Sequence, residues 1–282
     1  MLAGSRFRQV YRGVHVASSV PDTIAVRADA AALLCPPGSA FCAGTAALLR
    51  GLPVRDDRTA HVSIPVWGPV PARRPGLCPH LKVPPDSVVR ESGRLLVPEP
   101  EMWLGVAKEA RPGRAGLVDV VVLGDAILRR RLATVEDLDA HLQRSARRAG
   151  VVLARRALPL LRPRVDSPME TRTRLVLVLA GLPCPETNLR VYDDWGQWIG
   201  RPDLAYPALR LAIQYEGDVH RTDRRRWQQD VGRDEVLQDH GWRVIKVIAD
   251  DVFRRAGLLV RRVREAADRQ REILGLSSGT WC

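Results

Sequence analysis

The chain has 282 residues, 45% of them hydrophobic, and a formal net charge of +12. This length suits two domains of ordinary size, and the sequence contains no run of 18 apolar residues that would predict a membrane-spanning helix. Because the N-terminus lacks the apolar core of a secretory signal, we expect a cytoplasmic protein. The five cysteines are scattered without a C-x-x-C pair, and we predict free thiols.

The positive charge is concentrated in the first part of the chain. Residues 1–165 hold 25 Lys and Arg against 14 Asp and Glu, whereas residues 166–282 hold 19 against 18. A basic surface favours a polyanionic partner, most simply nucleic acid, although arginine-rich usage is also typical of a GC-rich genome. The nearly neutral second part carries enough acidic residues to build a metal site.

The first half is predicted to mix short helices and strands. Residues 5–16 favour a basic hairpin around Gly13, and the Pro- and Gly-rich residues 50–100 favour small strands and turns. The apolar run at residues 118–123 predicts a strand, after which Gly-Asp opens a helix. Two isolated histidines, His15 and His61, are interpreted as structural. Further helices are predicted at residues 28–34, 45–49, 101–107, 135–148 and 151–161.

The segment LRPRVDSP marks the predicted domain boundary, because it combines proline, charge and a loss of periodicity. We expect a basic α+β domain over residues 1–160 and an α/β domain over residues 161–282. In the second domain the pattern predicts the order α-β-β-β-α-β-α, a mixed sheet flanked by helices. The helices are predicted at residues 168–181, 222–240 and 250–274, and the strands at residues 189–192, 198–206, 211–216 and 242–248.

The strand LAIQYE turns polar only at its end. Side chains alternate between faces, so Gln214 and Glu216 share one face. The preceding strand carries Asp203 after Pro202, and the tight connection predicts that Asp203 and Glu216 approach each other. Two close carboxylates repel unless a cation neutralises them, and Mg²⁺ takes oxygen ligands and retains water that can attack a phosphate.

Four segments of the second domain occur in the order SPMETRTR, RPDLAYP, LAIQYEGDVH and WQQDVGRDEVLQDHGWRVIKV. Together they resemble the PD-(D/E)xK nuclease superfamily, and more closely the very-short-patch-repair-like endonuclease domain, a domain of unknown function. The resemblance covers about 90 residues and implies a restriction-endonuclease-like fold. It also implies that Glu170, Asp203 and Glu216 line a site for Mg²⁺ or Mn²⁺, with His220 nearby.

The sequence departs from this pattern at two positions. Relatives commonly carry an acid where this chain has Gln214, and the lysine of the superfamily is absent because Glu216 takes its place. His220 can act as a general base or as an acid for the leaving group, since imidazole titrates near neutrality. The predicted catalytic residues are therefore Glu170, Asp203, Gln214, Glu216 and His220.

Each of these residues also has a structural interpretation. Glu170 lies three residues after Ser167 and fits a helix capping box. Asp203 and Glu216 fit solvated turn acids, and His220 fits a cap for the helix that follows. These alternatives stay open from the sequence.

A basic and aromatic cluster follows the predicted site. Arginine binds phosphate well, and exposed aromatic rings stack on bases. The alternative is a solvated helix with tryptophans in the core. Arg8 and Arg12 of the N-terminal hairpin are further predicted nucleic-acid contacts. The cluster consists of Arg221, Arg224, Arg225, Arg226 and Trp227, opposite Trp195 and Trp198.

The first half contains FRQVYRGVHV, AALLCPPGSAFCAGTAALLRGLP and VVVLGDAILRR in that order. These segments resemble the AbiEi-type antitoxin and transcriptional-regulator family of abortive-infection systems. Those proteins usually begin with a winged helix-turn-helix, so residues 7–16 are interpreted as a remnant wing. Either the start codon is misassigned or the preceding DNA-binding helices are missing. The resemblance implies DNA binding, with a cognate toxin as a further partner.

Two functions follow from these patterns. The first is a metal-dependent DNA endonuclease in phage defence or DNA repair. The second is a catalytically inactive DNA-binding antitoxin or transcriptional regulator with a degenerate nuclease fold, favoured by Gln214 and the missing lysine. RNA processing is a third candidate. Convergence of the Glu170, Asp203 and Glu216 carboxylates within about 4–6 Å would favour the enzyme.

Overall fold

A computed structural model describes residues 6–65, 68–71, 74–83, 87–217 and 234–281. The chain divides into two compact units, Met1–Leu161 and Arg162–Cys282. Both units combine helices with sheets that contain parallel and antiparallel pairs, so the fold class is mixed α and β. Among the described residues, no helix is both long enough and apolar enough to cross a membrane.

The first unit contains a hairpin, a five-stranded sheet and a set of helices. The hairpin β1–β2 turns at Gly13, whose φ is +84°, which confirms that prediction. The sheet has the order β5-β4-β3-β7-β6, with parallel pairing of β4 with β5 and of β3 with β7. The strands are β1 Phe7–Tyr11, β2 Val14–Ala17, β3 Ala40–Phe41, β4 Ala60–Pro65, β5 Leu77–Val83, β6 Val89–Glu91 and β7 Arg94–Leu96.

The helices of this unit surround an apolar core that includes Trp103, whose Nε1 donates to the carbonyl of Val120 over 2.9 Å. The predicted cap at Thr134 is confirmed, because Thr134 and Asp137 form a reciprocal capping box. The helices are α1 Ile24–Ala32, α2 Ala43–Leu49, α3 Glu99–Glu109, α4 Arg114–Arg129, α5 Val135–Arg144 and α6 Val151–Ala157, the last followed by the 3-10 turn Leu158–Leu160.

The strand predicted at residues 118–123 is wrong, because this segment lies within the continuous helix α4. Its valines resemble a strand, but α4 is buried around much of its circumference, so a β-branched apolar run suits it equally well. Gly124 does not open a helix. A Cβ at this position would lie 2.5 Å from the Leu161 side chain, so a larger residue would fit only if that side chain shifted.

The second unit is built on a four-stranded sheet of order β13-β12-β11-β8. Strand β11 is antiparallel to both neighbours, whereas β12 and β13 are parallel, and β9 and β10 form a separate antiparallel pair. The elements are α7 Pro168–Val178, β8 Glu186–Thr187, β9 Val191–Tyr192, β10 Trp198–Gly200, β11 Leu204–Tyr206, β12 Leu211–Tyr215, β13 Arg243–Val247, α8 Ala249–Phe253 and α9 Ala256–Leu274, with a 3-10 turn at Pro207–Leu209.

Two elements predicted as continuous are interrupted. The strand expected at residues 198–206 divides into β10 and β11, which belong to different sheets, and Pro202 lies in the break. Proline cannot donate to a sheet ladder, so its position favours the change of sheet. The last helix is divided between α8 and α9. At the division the backbone carbonyl of Asp250 accepts the N–H groups of Arg254 and Arg255. Of the helix predicted at residues 222–240, only residues 234–240 are described, and of these residues 234–239 are helical.

Alternation along β12 positions the candidate site. Leu211 and Ile213 pack with residues of α7 and α9, whereas Ala212 packs with Leu237 and Trp242 in a second cluster. Because both faces are covered, the strand is apolar until its end, where Gln214 is half-buried and Glu216 is exposed. Strand β12 therefore becomes polar only at its C-terminal end, beside the candidate site.

Candidate functional site

Asp203 lies directly before β11 and beside the end of β12. Leu204 pairs with Ile213, and the Oδ2 of Asp203 accepts the N–H of Tyr215 over 2.8 Å. This bond holds the carboxylate at the point where β12 turns polar. The backbone carbonyl of Asp203 accepts the N–H of Asn188 over 2.9 Å, which connects the same residue to the segment after β8.

Glu170 lies in the first turn of α7 and is 6% exposed. The N-cap Ser167 accepts the Glu170 N–H through its side chain over 3.2 Å. The reciprocal bond of a capping box is displaced by one residue, because the Oε2 of Glu170 accepts the N–H of Asp166 over 2.9 Å. Helix capping therefore explains the hydrogen bond of the Glu170 backbone N–H and one of the bonds that its carboxylate accepts.

Asn188 joins the two acids, and sequence analysis did not identify it. Its Nδ2 donates to the Oε2 of Glu170 over 2.7 Å, while its backbone N–H donates to Asp203. Its φ is +50°, in the left-handed region that Asn tolerates better than most residues. An Asn, a residue that favours turns, directly before the strand predicted at residues 189–192 was the available signal for this turn.

The pKa of Asp203 is raised to about 7, from an ordinary value near 3.8. Burial of the carboxylate is the main cause, and repulsion by Glu170 adds to it. The Tyr215 amide and the charge of Arg201 act in the opposite direction and do not compensate. Asp203 is thus an acid whose charged form is poorly satisfied by the protein itself.

Glu216 is in a different environment. Its side chain is 47% exposed and forms an ion pair with Lys246, which also contacts Asp234. Lys246 lies opposite Gln214 in the parallel register of β12 and β13. Burial lowers the pKa of Lys246, but Asp234 and Glu216 outweigh it and the pKa is raised, so the lysine stays charged. A neighbouring strand therefore supplies a lysine that β12 itself lacks.

The three predicted carboxylates do not form one cluster. Across the described part of the chain, a single group of three His, Cys, Asp or Glu residues has its ligand atoms within 4.8 Å of one another, and it consists of His61, Cys78 and His80. The structure associates Glu170 with Asp203 and leaves Glu216 with Lys246. His220, Arg221, Arg224, Arg225, Arg226 and Trp227 lie outside the described residues.

A cavity of about 640 Å³ opens beside Asp203. Arg190 and Arg201 contribute positive charge to its lining, and Tyr192 and Trp198 contribute aromatic rings. Arg201 forms an ion pair with Asp166, which also lines the cavity. The cavity thus combines an acid, cations and aromatic rings, which are the groups needed to contact a phosphate and a base.

The hairpin formed by β9 and β10 presents its aromatic residues to solvent. Trp195 is 87% exposed, and Tyr192 and Trp198 are each about half exposed. Asp193 orders the turn by accepting the N–H groups of Trp195 and Gln197 over 2.9 and 2.7 Å. The alternative that Trp195 and Trp198 belong to the core is wrong.

The predicted N-terminal contacts differ from each other. The Arg8 guanidinium donates to the carbonyls of Val20 and Pro21 over 3.3 Å and lies 3.9 Å from Asp22. These bonds give Arg8 a structural role, because they hold the segment that follows the hairpin against β1. Arg12 is exposed at the turn, where its charge is accessible to an anionic partner.

These features define a two-unit chain of mixed α and β structure, in which Asp203 lines a basic, aromatic cavity and the buried Glu170 is joined to it through Asn188. The chain belongs to the family of two proteins of Mycobacterium tuberculosis, the uncharacterized protein MT2308 of strain CDC 1551 and the uncharacterized protein Rv2248 of strain H37Rv. Each is 34% identical to it over 232 residues, which cover 82% of both chains. No family model matches the chain, and no solved structure matches it.

Proposed function

We propose that the second unit is an endonuclease-type domain that binds DNA and hydrolyses its phosphodiester bonds with a divalent cation. The observation that carries this proposal is the position of Asp203 and Glu170, joined through Asn188, beside a cavity lined by arginine and aromatic side chains. Carboxylates hold hard cations, arginine binds phosphate, and aromatic rings stack on bases, so these groups suit one substrate.

The order of the elements supports the proposal. Helix α7 carries Glu170, Asp203 lies directly before β11, and Glu216 directly follows β12. Strand β12 is antiparallel to β11 and parallel to β13. The resemblance to the PD-(D/E)xK superfamily implies an acid on a helix, an acid after proline and an acid on the next strand. The second unit has Glu170 on α7 and Asp203 after Pro202, and Glu216 directly follows the next strand, which supports the proposal.

Asp203 and Glu170 fit a divalent cation. Both are withdrawn from water and repel each other, and a bound cation would remove that repulsion. Mg²⁺ or Mn²⁺ would be held by these two carboxylates, with Glu216 as the remaining acid of the resemblance. When bound, such a cation supplies Lewis-acid activation of water and of the phosphate.

The other residues of the site bind and orient the substrate in this proposal. Arg190 and Arg201 bind backbone phosphates, and Trp198 and Tyr192 stack on bases that enter the cavity. Lys246 fixes the position of Glu216 through their ion pair. Lys246, on β13, thereby acts as a positioning residue beside β12, the strand on which the superfamily lysine is missing.

The test is a cleavage assay with the purified full-length chain. Supercoiled, linear duplex and single-stranded DNA, with RNA alongside, are incubated with Mg²⁺, Mn²⁺ or a chelator. We expect DNA cleavage that depends on the cation. Asp203→Asn should lower the cleavage rate by at least about 100-fold, because removing a direct metal ligand costs more activity than the roughly 10- to 100-fold lost when a residue that supports a ligand is changed.

Asp194→Asn is the matched control, because Asp194 is an exposed acid in the turn of the neighbouring hairpin. This variant should cleave as the wild type does. The proposal fails if no DNA form is cleaved, or if Asp203→Asn cleaves at the wild-type rate. Cleavage restricted to RNA would transfer the activity to the third candidate.

A DNA-binding protein without nuclease activity is the second candidate. The observation that favours it is the ion pair of Glu216 with Lys246, which neutralises the acid with a protein charge in place of a cation. This candidate predicts DNA affinity that needs no metal and falls with added salt. It also predicts that Asp203→Asn binds DNA as tightly as the wild type.

A further inference from the structure

Two parallel strands of the first unit bring together three side chains that can bind a metal. In the register of β4 and β5, His61 lies opposite Cys78, and Ser63 lies opposite His80. Residues two apart on a strand point to the same face, so His61, Cys78 and His80 share one face of the sheet. The signal in the sequence was the spacing Cys-x-His on one strand, with a histidine on its neighbour.

The ligand atoms of this cluster are close enough to share one ion. The Nδ1 of His61 and the Nε2 of His80 are 2.8 Å apart, and the ligand atoms of all three residues lie within 4.8 Å of one another. The rings are stacked, with their centroids 5.1 Å apart. His61 is 7% exposed, so the site is shielded from bulk water on one side.

The outer nitrogen of each ring faces a carboxylate. The Nε2 of His61 lies 3.5 Å from Asp57, and the Nδ1 of His80 lies 3.8 Å from Glu109 and 3.2 Å from the ammonium of Lys108. Carboxylates in this position orient metal-bound histidines and increase their basicity. A pair of stacked core histidines does not require such partners on both sides, so this arrangement is a second observation that favours a metal.

We propose that His61, Cys78 and His80 bind a zinc ion. Two imidazole nitrogens and a thiolate are the ligands of tetrahedral zinc sites, whereas Mg²⁺ prefers oxygen. His80 also lines a cavity of about 800 Å³, together with Lys108, Arg147 and Arg148. Water or an anion from this cavity can supply the fourth ligand, so the site is of the open kind.

Zinc binding has a defined proton balance. The Cys78 thiol loses its proton to solvent and coordinates as a thiolate. The facing nitrogens of His61 and His80 share one proton, which belongs to one of the two rings. On zinc binding that ring takes its other tautomer, with the proton on its outer nitrogen, so that both facing nitrogens can donate lone pairs to the ion.

The experiment measures metal binding by the metal-free full-length chain. Zinc is added in equilibrium dialysis, and cobalt(II) is added in a parallel titration followed by absorption. We expect one zinc per chain and a thiolate-to-cobalt charge-transfer band. Cys78→Ser should abolish the band and weaken zinc binding by more than about 100-fold, and Asp57→Asn should weaken it by about 10- to 100-fold.

Cys184→Ser and His15→Gln are the controls, because both residues are half-buried and lie outside the cluster. They should bind zinc as the wild type does. Absence of zinc binding by the wild type, or zinc binding that Cys78→Ser leaves unchanged, would overturn the proposal. The charge-transfer band is measured on the wild-type protein and does not depend on any variant folding. Its absence from the wild type would therefore overturn the proposal that Cys78 binds the metal as a thiolate.

Discussion

Glu101 of the first unit and Asp203 of the second are both acids withdrawn from water, yet their pKa values move in opposite directions. Burial raises the pKa of Glu101, but hydrogen bonds from Arg148 and His141 outweigh it and leave the pKa at about 2. Arg148 contacts both carboxylate oxygens of Glu101 over 2.5 Å. Asp203 receives one backbone N–H at the same time as repulsion from Glu170, and its pKa is about 7.

The opposite pKa shifts distinguish Glu101, an acid with a structural role, from Asp203, a candidate for a functional role. A buried carboxylate with a two-pronged arginine partner is satisfied within the protein and stabilises the fold. A buried carboxylate beside another acid is destabilising unless something external compensates for it, and such residues cluster at functional sites. The cavity next to Asp203 gives access to that external group.

The largest expected effect is on stability at alkaline pH. The folded-state pKa of Asp203, about 7, exceeds the ordinary value of 3.8, so the folded protein binds more protons between these values. This contribution to the free energy of unfolding therefore falls as pH rises from about 4 to 7. Asp203→Asn imitates the protonated acid and should add up to about 4 kcal/mol at pH 8 and little at pH 4. Urea denaturation at both pH values measures this, and a destabilised variant at pH 8 would contradict it.

Glu101→Gln should change the free energy of unfolding in the opposite direction and destabilise the protein. The folded-state pKa of Glu101 is depressed, so its stabilisation is present above about pH 4.5 and is lost as pH falls through about 2. With its side chain 24% exposed, we expect a loss of about 2 kcal/mol at pH 7. Glu136→Gln, on the exposed face of α5, should change the unfolding free energy by less than about 0.5 kcal/mol. Equal effects of the two variants would remove the contrast.

A divalent cation should act on the second unit through Asp203. At pH 8, Mg²⁺ at about ten times its dissociation constant should stabilise the wild type by about 1.4 kcal/mol. Asp203→Asn should lose most of this gain, because the repulsion that the cation relieves is gone. Thermal unfolding with and without Mg²⁺ measures the difference, and an identical shift in both proteins would place the cation elsewhere.

The smallest expected effect concerns the aromatic side of the cavity. Trp198→Ala should weaken binding of a single-stranded oligonucleotide by about 1 kcal/mol, roughly fivefold, through loss of base stacking. Phe253→Ala is the control, since Phe253 is 62% exposed and is not among the residues lining the cavity. Fluorescence anisotropy in the presence of a chelator separates binding from cleavage. Equal losses for both variants would indicate nonspecific adhesion.

Local signals in the sequence were sufficient for several elements. The caps at Thr134 and Ser167, the turn at Gly13 and the alternation along β12 all depend on residues a few positions apart, and the structure has them where the pattern predicts. Helix α4 was misread because a β-branched apolar run suits a buried helix as well as a strand. That choice depends on what surrounds the segment.

The sequence by itself determined the charge asymmetry, the helix caps and the acids around β12, because each of these is written in composition or in short-range spacing. Only the tertiary structure decided which side chains meet. It associates Asp203 with Glu170 through Asn188, gives Lys246 to Glu216, and places His61 beside Cys78 and His80. These encounters depend on the register of strands distant in the chain, and a one-residue change of register would move every side chain to the other face.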